Sequence, residues 1–274
     1  MEIWHRIWID GKDVEDWRGR GLKVNPIRSA FYPDGTAKTW VGDVSESSSL
    51  WPEAKAYVGD RPHFLNTIFT DEERLAAEWC ILRGLYTLPK PEGGYWSPLY
   101  YGGMCPVCGS GWTQIAPFRL SMEPNVRRNA FASLGGDELF STDAVLSQFA
   151  TEGVRGFEIQ PVLINRERCA SNNVKQVIAS NVAGPALAED LVEHEHFRST
   201  KCACCGRTWH LYYSRGMLPL RRSALRSDVD FQMTDEWFGS GRAARREILV
   251  SRRVVHMILK NKWRGAGLAP VQVV

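Results

Sequence analysis

The sequence predicts an α+β fold in which two repeated strand–helix–strand halves share one structural zinc, preceded by an N-terminal extension. Three observations carry this. The frame C-x-x-C-G-x-x-W occurs twice, at Cys105-Pro106-Val107-Cys108-Gly109-Ser110-Gly111-Trp112 and at Cys202-Ala203-Cys204-Cys205-Gly206-Arg207-Thr208-Trp209. A second pattern also occurs twice: a Ser, apolar residues three, four and eight positions on, then Gly-x-x-x-x-Pro-Val. Alternating apolar residues near the start mark a strand outside both repeats.

Residues 1–12 place Ile3, His5, Ile7 and Ile9 on one side and Trp4, Arg6 and Trp8 on the other, with Gly11-Lys12 as the stop. Residues 13–60 are rich in Gly, Pro, Asp and Ser, which predicts short strands and long loops, with Ser45–Ser49 in an exposed loop. Thr70 and Glu73 form a capping box, and Leu75, Trp79 and Leu82 share one helical face, so a helix is expected from Thr70 to Gly84. Cys80 on that helix reads as core packing. Loop follows over 85–104, and Gln114–Leu120 reads as a strand interrupted at Pro117.

The second pattern begins at Ser141, with Ala144, Val145 and Phe149 on a helix face, and ends at Gly156-Phe157-Glu158-Ile159-Gln160-Pro161-Val162. Its other copy begins at Ser251, with Val254, Val255 and Leu259, and ends at Gly265-Ala266-Gly267-Leu268-Ala269-Pro270-Val271. Both Ser are expected to cap their helices. The predicted organisation is therefore residues 1–95 as an N-terminal region and 96–274 as a domain with an internal repeat. Between the halves, Leu187, Leu191 and Val192 fall at helical spacing.

Two C-x-x-C pairs are the usual ligand set of a closed tetrahedral zinc site. Gly109 and Gly206 supply the positive φ that such a turn needs. Cys105, Cys108, Cys202 and Cys205 are therefore read as one structural Zn2+ site. The 93 residues between the pairs make it a clamp joining distant segments of chain. Cys204 reads as a turn residue directed away from the metal, with a swap ligand or reactive thiol as the sharper alternative. His194 and His196 cannot share a helix face and read as solvated linker residues; His210 is a weaker rival for a metal position.

The 274 residues are enough for one large domain or two modest ones. The opening segment has no basic stretch followed by an apolar one, no run approaches a membrane span, and the Cys count is odd at seven. A reducing, cytoplasmic setting without membrane contact is expected. Net charge is +3, but residues 201–274 carry 14 Lys/Arg against 5 Asp/Glu, a polarised surface or a basic face for an acidic partner. Nucleophile elbow, phosphate-loop, dinucleotide and zincin motifs are absent, and no His begins the H-x-E of a zinc deaminase. The sequence thus points away from an enzyme with a small-molecule substrate.

The two distant C-x-x-C-G knuckles, the Leu-x-Ser-led helix and the closing Gly-x-x-x-x-Pro-Val strand resemble the double-CXXCG motif family of bacterial proteins. The resemblance rests on Cys105, Cys108, Gly109, Cys202, Cys205, Gly206 and the tail from Asp228 to Val274, and covers about residues 96–274. It implies an immunity protein that binds and neutralises a cognate toxin, a non-enzymatic role in which the partner is another protein. Trp237, Arg242, Arg245, Trp263 and Arg264 are candidate anchors for such a surface, or ordinary core and solvated residues. The alternative reading is a zinc-containing nucleic-acid-binding protein, motivated by Arg221-Arg222, Arg245-Arg246 and Arg252-Arg253.

Overall fold

The computed structural model describes residues 1–28, 38–61, 63–134, 138–164, 169–192 and 197–274. The chain is mixed α+β and mostly strands. It forms two compact units, Met1–Thr70 with Ser214–Gly216, and Asp71–Tyr213 with Met217–Val274. The division thus falls at Thr70, and residues 71–95 belong with the segment that carries the knuckles.

Unit 1 contains β1 (Glu2–Ile9), α1 (Val14–Gly19), β2 (Val24–Arg28), β3 (Lys38–Ser45), α2 (Trp51–Val58) and β4 (Phe64–Ile68). Among the described residues its strands run β2-β3-β1-β4, all neighbours antiparallel. The alternation in β1 buries His5, Ile7 and Ile9 while Arg6 and Trp8 stay exposed. Where loops were expected, α1 and α2 cover the buried face, adding Val14, Trp17, Ala54 and Val58 to the same cluster. Ser45 is the last residue of β3 and is buried, its Oγ donating to Glu2 Oε1 at 2.6 Å; the exposed turn starts after it.

His5 is held tightly within unit 1. Its Nε2 meets Glu46 Oε1 at 2.8 Å and its ring stacks on Trp51 with centroids 3.9 Å apart. Glu46 also accepts from Arg215, and His63 lies 5.1 Å from the His5 ring. Burial lowers the His5 pKa, against the smaller upward pull of Glu46. A base whose folded pKa lies below its unfolded value binds more protons when unfolded. Stability is therefore complete above about pH 6.5 and falls as pH drops toward the folded pKa. Amide hydrogen exchange in β1 and β3 should accelerate over that window, and His5→Gln should flatten the dependence.

Unit 2 contains α3 (Asp71–Ala76), β5 (Trp79–Gly84), β6 (Tyr86–Thr87), β7 (Tyr101–Gly102), β8 (Thr113–Gln114), β9 (Arg119–Leu120), β10 (Phe131–Ser133), β11 (Leu139–Ser141) and α4 (Asp143–Thr151). It continues with β12 (Phe157–Ile164), β13 (Cys169–Ala179), β14 (Ser199–Lys201), β15 (Thr208–His210), β16 (Leu218–Leu220), β17 (Phe231–Met233) and β18 (Trp237–Phe238). It ends with β19 (Ile248–Ser251), α5 (Arg252–Lys260) and β20 (Ala266–Val273). Among the described residues the two larger sheets run β6-β10-β11-β13-β12-β9 and β16-β20-β5-β19-β17.

The helix expected over Thr70–Gly84 is corrected to a short α3 followed by strand β5. Trp79, Cys80, Ile81 and Leu82 are all buried, because β5 lies between β19 and β20 and is covered on both faces. A strand covered on both faces has no polar side, and its apolar run mimics a helix segment. Cys80 is fully buried as expected, on a strand, and burial pushes its thiol up to about 12. Gly84 ends β5 where a Cβ would overlap the Ala132 carbonyl.

The strand expected over Gln114–Leu120 is two short strands separated at Pro117. Pro161 marks the register shift of β12 against β13. In place of helix near Leu187, residues 189–191 make one short 3-10 turn.

Neither Ser caps its helix through its side chain. Ser141 Oγ donates to Ala130 O at 2.9 Å, and Ser251 Oγ donates to Asp230 Oδ1 at 2.7 Å. The hydroxyls instead tie each strand–helix junction to the segment just before β10 or β17. The tails of the two sheets are tied across as well. Arg264 O accepts from Ala130 N at 2.8 Å, and Arg155 O accepts from Asp230 N at 2.9 Å. Gly265 and Gly156, both at positive φ, sit where a Cβ would overlap the carbonyls of Phe131 and Phe231. Phe131, Phe149 and Phe231 fill a common core with Val254, Val255 and Ile258.

Candidate metal centre

Each knuckle is a tight turn at the end of a short ribbon. In the first, Gly109 N donates to Cys105 O at 2.8 Å and Cys105 N donates to Ser110 O at 3.0 Å. In the second, Gly206 N donates to Cys202 O and Cys202 N to Arg207 O, both at 2.9 Å. Gly109 and Gly206 have φ of 73° and 70°, as the turn chemistry requires. The ribbons match too: β7 pairs with β8 through Gly102 and Thr113, and β14 with β15 through Ser199 and His210.

The two turns meet. Cys105 Sγ lies 4.0 Å from Cys202 Sγ, Cys108 Sγ lies 3.8 Å from Cys205 Sγ, and all four sulfurs fall within 4.8 Å of one another. A tetrahedral ion with metal–sulfur bonds of about 2.3 Å has sulfur–sulfur edges of about 3.8 Å. The donor set therefore fits a four-coordinate metal ion, and no ligand position is left over for a substrate. Amides of Cys108 and Val107 favour the Cys105 thiolate and pull its pKa down to about 6. At Cys205 the Arg207 amide also favours the thiolate, but desolvation and the neighbouring cysteines outweigh it and raise the value to about 11. Four thiolates so close together need a cation between them.

Two residues support the sulfurs from equivalent places. Ser110, fully buried, has its Oγ 3.0 Å from Cys108 Sγ, and an Arg207 terminal nitrogen lies 3.7 Å from Cys205 Sγ. Both occupy the first variable position of C-G-x-x-W, a signal readable in the aligned knuckles although the residue types differ. Such outer partners orient ligands and tune the site. Trp112 at the end of the first knuckle donates from Nε1 to Arg242 O at 3.2 Å and meets Tyr101 edge-on with centroids 4.6 Å apart.

The other candidates fall elsewhere. Cys204 is exposed and is not one of the four clustered sulfurs, but its thiol neighbours Cys105, whose contact raises the Cys204 pKa. His210 is buried, shares a 2.8 Å hydrogen bond with Ser199 Oγ and stacks on Phe197, away from any metal role. His194 and His196 lie outside the described residues. Among the anchor candidates, Trp263 packs on Phe131 and Phe149 in the core, while Trp237 carries the guanidiniums of Arg207 and Arg246 over its ring. The basic tail is largely paired: Arg221 with Asp190, Arg222 with Glu78 and Arg226 with Asp228. Arg252 donates to the carbonyls of Ala76 and Ala77. No described helix is long and apolar enough to cross a membrane.

The chain matches no family model, and no curated protein matches its sequence.

Proposed function

We propose that this protein is a stoichiometric binding protein of the immunity type, which blocks a cognate bacterial toxin by protein–protein contact. The observation that carries the reading is the closed four-sulfur site, which pins two turns from distant parts of the chain. A rigid, preformed surface lowers the entropic cost of tight association. The resemblance of the two knuckles and the tail to the double-CXXCG family points the same way. Zinc is the ion of choice, since an all-thiolate tetrahedral site with no open position suits a structural zinc.

The scaffold on this reading is a duplication, residues 79–164 and 169–273, whose copies exchange their first strands. The corresponding strand orders support it: β10-β11-β13-β12-β9 beside β17-β19-β5-β20-β16. In each, the central strand comes from the other copy. Short parallel pairings within each copy also correspond, β6 on β10 in the first and Val182 on Met233 in the second. The reciprocal bonds from Arg155 and Arg264, and the paired Gly156 and Gly265, also map onto one another. The ion then sits where the two knuckles of a pseudo-twofold meet.

The experiment is co-purification of the zinc-loaded chain with the products of its neighbouring genes, followed by a toxicity assay with and without the chain. A stable one-to-one complex and rescue of growth are expected; failure to bind any neighbour would remove the reading. The nucleic-acid alternative is weakened by the paired state of the basic tail, and absence of binding to DNA or RNA at low salt is expected.

A further inference from the structure

Beside the metal centre, unit 2 contains a cavity of about 470 Å³ whose walls combine indole, guanidinium and primary amide groups. Trp112 and Trp237 meet edge to face across it at 6.4 Å. Arg207 and Arg246 stand over the Trp237 ring at 4.9 and 5.3 Å from its centroid. Opposite these, Gln114 and Gln176 hold one another in reciprocal amide bonds of 2.9 and 2.7 Å. Gln114 Nε2 also donates to Gln160 Oε1 at 3.0 Å, which fixes the orientation of the Gln160 amide. Gln160 Nε2 makes no protein hydrogen bond among the described residues.

The charge pattern selects what fits. Arg246 is engaged only loosely, with a terminal nitrogen 3.5 Å from Asp235, and its buried Nε has no partner among the described residues. A buried donor without an acceptor calls for one. The acid of the cavity, Glu138, accepts from the Tyr101 hydroxyl, and burial raises its pKa. A fixed set of amides reads the edge of a planar heterocycle, guanidiniums stack on such rings and bind phosphate, and the volume is that of a small-ligand site. The cavity takes one such unit, and the paired basic tail offers no track for a polymer.

We infer that this cavity is a binding site for a nucleoside monophosphate, with the base edge on the glutamine amides and the phosphate on Arg246, assisted by Arg207. The site is independent of the immunity reading, since it needs no protein partner, and it adds a small-molecule ligand to a chain whose sequence points to none.

The test is isothermal titration of the zinc-loaded full chain with AMP, GMP, CMP and UMP, each beside its nucleoside, and with inorganic phosphate. At least one monophosphate should bind saturably, with its nucleoside about tenfold or more weaker and phosphate alone without detectable binding. Gln160→Ala and Arg246→Gln should each weaken that ligand about tenfold while zinc content and Tm hold. Gln160 is partly buried, and its loss leaves the Gln114–Gln176 pair intact, so this variant decides the matter even if Arg246→Gln fails to fold. Absence of binding by all the monophosphates, or an affinity unchanged in Gln160→Ala, overturns the assignment. Binding of phosphate or nucleoside as tight as that of the nucleotide overturns it as well.

Discussion

Cys105→Ser or Cys202→Ser should lower bound metal from about one ion per chain to near none and destabilise unit 2 by about 4–5 kcal/mol or more. Both sulfurs are buried at the junction of the two turns, and metal affinity at such sites is folding free energy. The loss should be local in its structure. Hydrogen exchange should rise first and most in β7, β8, β14 and β15, and least in the core around Phe149 and Phe231, because that cluster contains no metal ligand. Chelation of the wild-type chain should reproduce the pattern, and acidification should do so as the thiolates take up protons. Cys204→Ser is the control. It is exposed and outside the cluster, so it should change stability by no more than about 0.5 kcal/mol and leave metal content unchanged. Metal content and urea midpoints measured on the three variants decide this. Retention of metal by both ligand variants would remove the clamp from the account.

The second large effect is expected at a pair of glycines. Gly156→Ala and Gly265→Ala should each cost about 3 kcal/mol or more, because a methyl group at either position overlaps a backbone carbonyl that no rotamer change can move. The comparison that isolates the overlap is Gly153→Ala. Gly153 also has a positive φ, of 64°, but a Cβ there meets open space. Its substitution should cost only the strain of the left-handed region, about 1–2 kcal/mol. Urea unfolding of the three variants at one pH gives the difference directly. Equal costs at all three positions would mean that the contacts of Gly156 with Phe231 and of Gly265 with Phe131 give no interlock.

The four-cysteine cluster was legible because the chemistry of a metal site fixes its spacing. Two sulfurs on one turn need the C-x-x-C interval, and the turn needs Gly at the next position, so function leaves a short, local trace. Gly156 and Gly265 stood out for a similar reason, since both sit at positive φ against a backbone carbonyl. The strand β5 was not legible. Its apolar run is long-range in origin, since Trp79–Leu82 are buried by strands more than 160 positions later, and no local period reports that. The Ser hydroxyls misled in the same way. Ser141 and Ser251 precede helices, as caps do, yet their partners Ala130 and Asp230 lie before the preceding strand. The cavity could not be read at all, because Gln114, Gln160, Gln176 and Trp237 are brought together only by sheet pairing and by the meeting of the two knuckles beside them.

Everything in this account turns on one ion held by sulfur alone. The most direct measurement is elemental analysis of the purified chain together with X-ray absorption at the zinc edge. The account predicts about one zinc per chain with four sulfur neighbours at about 2.3 Å. A chain without zinc, or an absorption spectrum that requires nitrogen or oxygen neighbours, would contradict it.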